Sequence, residues 1–278
     1  MAKLAVRGGE AVRTKAWPRW PQWGEAEARR VHEVLESGEW GGFNPLVREF
    51  EAAWAKRHQA KYCVSAVNGT LTLEAALRVV GVGPGDEVIV PPYTFIATAN
   101  AVRLVGATPV FVDVEPDTYN LDIDRVAEAI GPNTKAIIPV HFAGLAVDMD
   151  RLLPLAREHG LYVIEDTAHA HGSTWRGTPL GSLGDIGSFS LQQSKNLTAG
   201  EGGILITNDE TLALKLWSFA NQGRDPQGRW YEHGMLGSNL RMTGWQAAIL
   251  LAQMERFEEQ LARRHANARY LTSILEEI

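Results

Sequence analysis

The sequence predicts an α/β protein: a three-layer α/β/α sandwich whose central sheet is mostly parallel. Two observations carry this. Short apolar runs alternate with helical patterns through residues 62–207, which is the rhythm of strands linked by crossover helices. The runs are also continuously apolar rather than alternating, as strands covered on both faces must be.

Taken in order, two helices precede the first strand. The second opens at Asn44-Pro45, a capping asparagine followed by proline at the first helical position. Its Leu46, Phe50 and Trp54 recur four apart and form an apolar stripe directed at the core. Tyr62 to Val67 reads as a strand and Thr70 to Val80 as a helix. The β-branched run from Glu87 to Val90 is stopped by Pro91-Pro92. A helix over Thr94 to Leu104 leads to a strand over Thr108 to Val112. Strands at Ala136 to Val140 and Leu161 to Ile164 flank a helix over Met149 to His159. Shorter strands fit Ile186 to Ser190 and Ile204 to Thr207, and Gln222 to His233 is an aperiodic polar loop. Thr243-Gly244-Trp245-Gln246 has capping-box spacing and opens one long helix through Leu250, Met254 and Leu261 toward Ile278.

Composition sets limits on function. The 278 residues are 45% hydrophobic and 22% charged, ordinary for a globular protein with an ample core. The net charge of −6 and a pI near 5.8 argue against nucleic acid or an anionic membrane as partner. A single cysteine, Cys63, permits no intrachain disulfide and suits a reducing, cytoplasmic setting. No apolar run approaches a membrane span, and the N-terminal segment lacks the apolar stretch of a signal peptide.

Three groups of residues could carry chemistry. Asp166 closes the apolar strand Leu161-Tyr162-Val163-Ile164. Carboxylates at the C-terminal ends of sheet strands sit where α/β folds bind ligands, although a solvated acid or helix cap would look the same. Lys195 follows another strand and precedes Gly200, Gly202 and Gly203. Partial burial there would lower its pKa and favour a nucleophilic amine, whereas a lone lysine is ordinarily solvated. Asn68-Gly69-Thr70 stands at a strand-to-helix junction, whose free N–H groups suit a phosphate. Phe95 offers either a stacking face for a flat ring or an ordinary core residue. No metal-ligand spacing is present.

These segments resemble the DegT/DnrJ/EryC1/StrS family of pyridoxal-phosphate (PLP) aminotransferases, from about residue 4 to 278. The resemblance rests on Asn68-Gly69-Thr70, Gly85-Asp86-Glu87-Val88-Ile89-Val90-Pro91, Thr94-Phe95, Pro139-Val140-His141, Glu165-Asp166-x-Ala168-His169, Ser190 with Lys195, Gly200-Glu201-Gly202-Gly203 and Gly237-Ser238-Asn239-Leu240-Arg241. It implies the type I fold of PLP-dependent transferases and transfer of an amino group from glutamate or glutamine to a keto sugar or keto-cyclitol. The branches that look nearest are the glutamine:scyllo-inosose aminotransferases and the 3-amino-5-hydroxybenzoate synthases.

The resemblance also assigns roles. It makes Lys195 the lysine that holds PLP as an imine, Asp166 the partner of the ring nitrogen, Phe95 the stacking aromatic and His169 a neighbour of the ring hydroxyl. Gly69, Thr70, Leu71 and Ser190 would hold the phosphate, with Leu71 larger than the usual residue there. Asn239 would reach the phosphate of a neighbouring subunit, implying a homodimer with shared sites. Arg224 and Arg241 are candidate partners for the donor carboxylate. Residues 1–240 would form the PLP-binding large domain and 241–278 the start of a small C-terminal domain. The chain is then either a fragment or a member without that lid, and a PLP-binding protein without turnover is the alternative reading. A nucleotide-binding α/β protein is a third.

Overall fold

A computed structural model describes residues 3–276. Its strands are β1 (Tyr62–Ala66), β2 (Glu87–Val90), β3 (Thr108–Phe111), β4 (Thr134–Ile137), β5 (Tyr162–Asp166), β6 (Thr174–Trp175), β7 (Thr178–Pro179), β8 (Ile186–Ser190) and β9 (Gly203–Thr207). Seven of them form one sheet in the order β1-β9-β8-β5-β4-β2-β3, while β6 and β7 pair separately. The pairs β8–β5, β5–β4, β4–β2 and β2–β3 are parallel, and β9 runs antiparallel to both β8 and β1. The mostly parallel sheet follows the alternation in the sequence. The reversal of β9 follows from its return beside β8 without a crossover helix.

The helices are α1 (Glu25–Ser37), α2 (Pro45–Arg57), α3 (Gly69–Val79), α4 (Ala97–Leu104), α5 (Ile123–Ala129), α6 (Met149–Glu158), α7 (Glu210–Ala220), α8 (Gly244–Met254) and α9 (Phe257–Leu275). Alternate residues of each central strand enter different cores. Val88, Val90, Ala136, Ile138 and Leu205 pack with α3, α4 and α7. Ile89, Ile137 and Val163 pack with α5 and α6. Phe189, Ile204 and Ile206 pack with α2 and α8. Both faces are therefore covered, which is why the strands read as unbroken apolar runs.

The structure departs from the expected elements in several places. The helix expected from Thr94 starts at Ala97, so Phe95 sits on a turn. Two helices, α5 and α7, stand where the sequence reading places no element. α5 has seven residues, its N-cap Asp122 accepting the N–H groups of Asp124 and Arg125. α7 is apolar on much of its circumference, burying Leu212, Ala213, Leu216 and Phe219. The long C-terminal helix is interrupted at Glu255 and Arg256, where Arg256 bonds Gln22 O and Glu27 and Phe257 turns inward to 1% exposure. The expected end of that helix at Ile278 lies outside the described residues. α8 buries Ala247, Leu250 and Leu251 in the core of α2, whereas α9 buries only Phe257 among its described residues.

Candidate active site

Because β1, β2, β4, β5 and β8 point the same way, the residues after them meet along one edge of the sheet. A cleft of about 910 Å³ opens there, lined by Asn68, Gly69 and Thr70 after β1, Thr94 and Phe95 after β2, Val140 after β4, Asp166 and His169 after β5, and Ser190 and Lys195 after β8. This is the crevice at strand C-termini where α/β sheets hold ligands. Lys195, Asp166, His169, Phe95, Ser190, Gly69 and Thr70 are thus brought together from separate segments. Phe95 is 71% exposed, so it is a wall residue and not core.

At the start of α3, Asn68 caps the helix by accepting the Leu71 N–H at 2.9 Å. The N–H groups of Gly69 and Thr70 have no acceptor among the described residues, leaving two donors at the positive end of the helix. A side chain at Gly69 would stand 2.7 Å from Ser190 Cβ, so glycine is what lets the helix end approach that serine. A side chain at Gly203 would likewise meet Asn68 O at 2.5 Å. Leu71 follows at the next position. Its N–H is consumed by the cap, and its side chain packs on the α3/α4/α7 core.

Asp166 is 6% exposed. Its Oδ2 accepts the Thr98 hydroxyl at 2.9 Å and its Oδ1 the Ala168 N–H at 3.2 Å. Thr98, itself fully buried, also meets the Thr94 hydroxyl at 2.9 Å. Partial burial holds the Lys195 amine below the ordinary lysine value, and the Asp166 charge opposes that shift. His169 is lowered by desolvation and by the Lys195 charge, again against Asp166.

Directly before Asp166, Glu165 is buried completely. Its carboxylate accepts N–H groups from Gly181, Leu183 and Gly184 at 2.7–2.8 Å and meets His141 Nε2 at 2.9 Å. His141 Nδ1 accepts the Val147 N–H, so Nε2 carries the proton and donates. Burial raises the Glu165 pKa, but His141 and the backbone donors outweigh it and leave the carboxyl below its usual range. The Glu165–His141 pair fixes the end of β5 and with it Asp166.

Not every expected residue joins the cleft. Asn239 is exposed away from it, with its backbone bridged to Asn221 and its Oδ1 accepting the Arg241 N–H at 3.4 Å. Arg224 and Arg241 also lie outside it, over Phe43, with Arg224 4.1 Å from the Trp230 ring centroid. Reading the sequence missed the role of Thr98. Its signal is a hydroxyl four residues after Thr94 on the otherwise apolar face of α4. Among the described residues no group of three or more His, Cys, Asp or Glu could hold a metal ion, and no helix is long and apolar enough to cross a membrane.

The profile of the DegT/DnrJ/EryC1/StrS aminotransferase family matches residues 21–278. The chain belongs to this family. The DegT/DnrJ/EryC1/StrS family consists of PLP-dependent aminotransferases, and PLP is the cofactor that membership implies. The chain is 42% identical over 292 residues to the L-glutamine:scyllo-inosose aminotransferase of Streptomyces griseus, covering 100% of this chain and 69% of the relative. It is 51% identical over 219 residues to the GDP-perosamine synthase of Caulobacter vibrioides, covering 79% and 59%. The crystal structure of a 3-amino-5-hydroxybenzoic acid synthase superposes with a TM-score of 0.88 at 42% identity, covering 91% of this chain and 67% of that one. The likeness to that enzyme bears out the α/β sandwich of type I.

Proposed function

We propose that this chain moves an amino group from glutamine or glutamate to a keto sugar or keto-cyclitol, with Lys195 as the residue that holds PLP. The observation that carries the reading is the convergence of a partly desolvated lysine, a buried carboxylate and a helix N-terminus in one cleft. The residues fit the group. The Gly69 cradle, closed to any larger side chain by Ser190, matches a phosphate, and the Asp166 carboxyl is buried deep enough to pair with a ring N–H.

When bound, PLP supplies a reactive carbonyl and a protonated ring that accepts the electron pair released at the donor's α-carbon. Gly69 and Thr70 N–H and the Ser190 hydroxyl would bind the phosphate. Asp166 would hold the proton on the ring nitrogen, with Thr98 orienting its carboxylate. Phe95 would cover one face of the ring, and His169 would orient its hydroxyl. Lys195 Nζ, its pKa lowered by burial, would take the proton from the donor's α-carbon and return one in the reverse half. Adding glutamine or glutamate to the purified holoenzyme should bleach its visible absorbance. A spectrum that does not respond to either donor overturns the reading and favours a PLP-binding protein without turnover.

Two further results are expected. Asp166→Ala should cost about 3 kcal/mol in the transition state, read as kcat/KM, and an unchanged kcat/KM would remove Asp166 from its role. Thr98→Val should lose about 1–2 kcal/mol of the same quantity, because a hydrogen bond to a charged group disappears while the side-chain volume is kept. Thr98→Ser should recover most of it.

The homodimer is part of the proposal. Asn239 lies outside its own chain's cleft, consistent with serving the partner's phosphate. Lys195→Ala and Asn239→Ala subunits, refolded together, should then regain activity beyond the sum of the two parents, because one site of each mixed dimer carries neither change. An impaired Asn239→Ala enzyme that fails to complement would exclude shared sites. Residues 1–240 are proposed as the PLP-binding large domain and 241–278 as the start of a small C-terminal domain, whose first helix, α8, shares the core of α2. A reducing, cytoplasmic location is proposed from the single Cys63.

A further inference from the structure

Three aromatic side chains stand together beside the cleft with no role in the chemistry above. Tyr93 and Phe142 line it, their ring centroids 4.6 Å apart. Tyr119 adjoins both, at 5.3 Å from Tyr93 and 6.3 Å from Phe142. Phe142 in turn meets His169 edge-on at 5.9 Å, so the aromatic surface continues outward from the reacting end of the cleft. Tyr93 is 49% and Tyr119 51% exposed. Phe142 is half-buried beneath them, and large rings exposed as Tyr93 and Tyr119 are cost free energy unless something covers them.

The loops that present these rings are held under constraint. Tyr119 and Ala143 both adopt left-handed backbone, with φ of 58° and 51°, a conformation disfavoured for side-chain-bearing residues. Buried Asn120, between them in space, ties the two loops. Its Oδ1 accepts the Phe142 N–H at 3.1 Å, and its Nδ2 donates to Leu145 O at 3.2 Å and Ala146 O at 2.9 Å. Every side-chain hydrogen bond of Asn120 thus fixes the loop carrying Phe142 against the residue after Tyr119. Strain retained and fastened in this way characterises surfaces prepared for a ligand.

We infer that Tyr93, Tyr119 and Phe142 form the subsite for the acceptor's six-membered ring, packing against its C–H face while the keto carbon points toward Lys195. This rests on the aminotransferase reading of the same cleft. A keto-cyclitol and the sugar of a nucleotide-linked keto sugar share that chemistry: hydroxyls around the edge and a C–H face that suits the electron-rich face of an aromatic ring. Glutamine and glutamate have no such ring, so the wall separates acceptor from donor within a single site.

Half-reactions of the holoenzyme test this, with glutamine as donor and either scyllo-inosose or a GDP-linked 4-keto-6-deoxy sugar as acceptor. Tyr93→Leu and Phe142→Leu keep apolar bulk but lose the ring. Each should raise the KM for the accepted ring about tenfold, several times more than the KM for glutamine. Tyr93→Phe should behave close to wild type, since the aromatic face remains. Visible absorbance and a thermal melt report that each variant folds and loads cofactor. Equal changes in both KM values, or an acceptor KM that does not move, would overturn the inference while leaving the proposed function standing. A wild-type enzyme that completes the glutamine half-reaction but neither binds nor aminates either ring would overturn it too. A wild-type enzyme inert to every donor would remove the proposed function instead. The acceptor that saturates at the lower concentration identifies the source of the ring.

Discussion

Lys195→Ala is expected to lower turnover by at least about 10³-fold, the largest effect of any single change in the cleft. Two losses combine. The variant has no amine to hold the cofactor covalently and no base at the donor's α-carbon. The phosphate donors of Gly69 and Thr70, the Ser190 hydroxyl and Asp166 are untouched, so cofactor binding should weaken without vanishing. Equilibrium dialysis with PLP and single-turnover kinetics on the variant separate the two quantities. Borohydride reduction of the wild-type holoenzyme with peptide mapping should place the pyridoxyl group on Lys195, and its appearance on another lysine would sink the assignment. In wild type, burial lowers the Lys195 pKa. The rate of the donor half-reaction should therefore rise with pH through a value below that of an ordinary lysine.

The second large effect concerns stability in acid. His58 and His171 are 1% and 2% exposed and lie in an aromatic box with Trp54 and Phe189. Trp54 is 4.3 Å from His58 and 5.9 Å from His171 between ring centroids. Burial holds the imidazoles neutral, pushing their pKa down to about 4 and about 3. The unfolded chain takes up protons on both near the ordinary histidine value of 6.5, whereas the folded chain does not. Stability contributed by this difference is intact above about pH 6.5 and is lost as pH falls toward about 4. At about 1.4 kcal/mol per unit, each histidine should cost roughly 3 kcal/mol over that range. Chemical denaturation at about pH 7, 5.5 and 4 measures it. His171→Phe should flatten the profile, and a wild-type stability that does not change across that interval would exclude the mechanism. Glu165 adds to the same trend from lower down. Its carboxyl is depressed, so its contribution is present above the usual carboxylate pKa and is lost only as pH falls through the lower folded value.

Much of the sheet was legible because burial on both faces leaves a plain trace: Glu87 to Val90 and Ile186 to Ser190 were bounded to the residue. The site was legible for a different reason. Lys195, Asp166, Ser190 and Asn68-Gly69-Thr70 each stand at or just beyond the end of a strand, and parallel strands deliver such residues to one edge. Other features were illegible because they depend on distant partners. Nothing in the sequence shows that the Leu71 N–H is taken up by the Asn68 cap. Thr98 reads as any threonine in a helix until β5 brings Asp166 to it. The interruption at Arg256 has no glycine or proline to announce it, since it is made by Glu27 and Gln22 from the other end of the chain. The Tyr93–Tyr119–Phe142 wall likewise exists only after three loops have met.

The reversed strand β9 has a consequence for how the molecule comes into being. Among the described residues β1 has no sheet neighbour except β9, pairing Ala66 with Gly203 and Tyr62 with Thr207. During synthesis β2 to β5 can associate as they emerge, each beside a strand already made. β1, though made first, must wait until about half the chain has been added after it. The Asn68-Gly69-Thr70 corner can settle against Ser190 only when β9 slides between β1 and β8. Closing so long a loop is slow, so the cleft should form last. Nascent chains released before residue 207 should hold a folded β2–β5 half and remain sensitive to protease at β1.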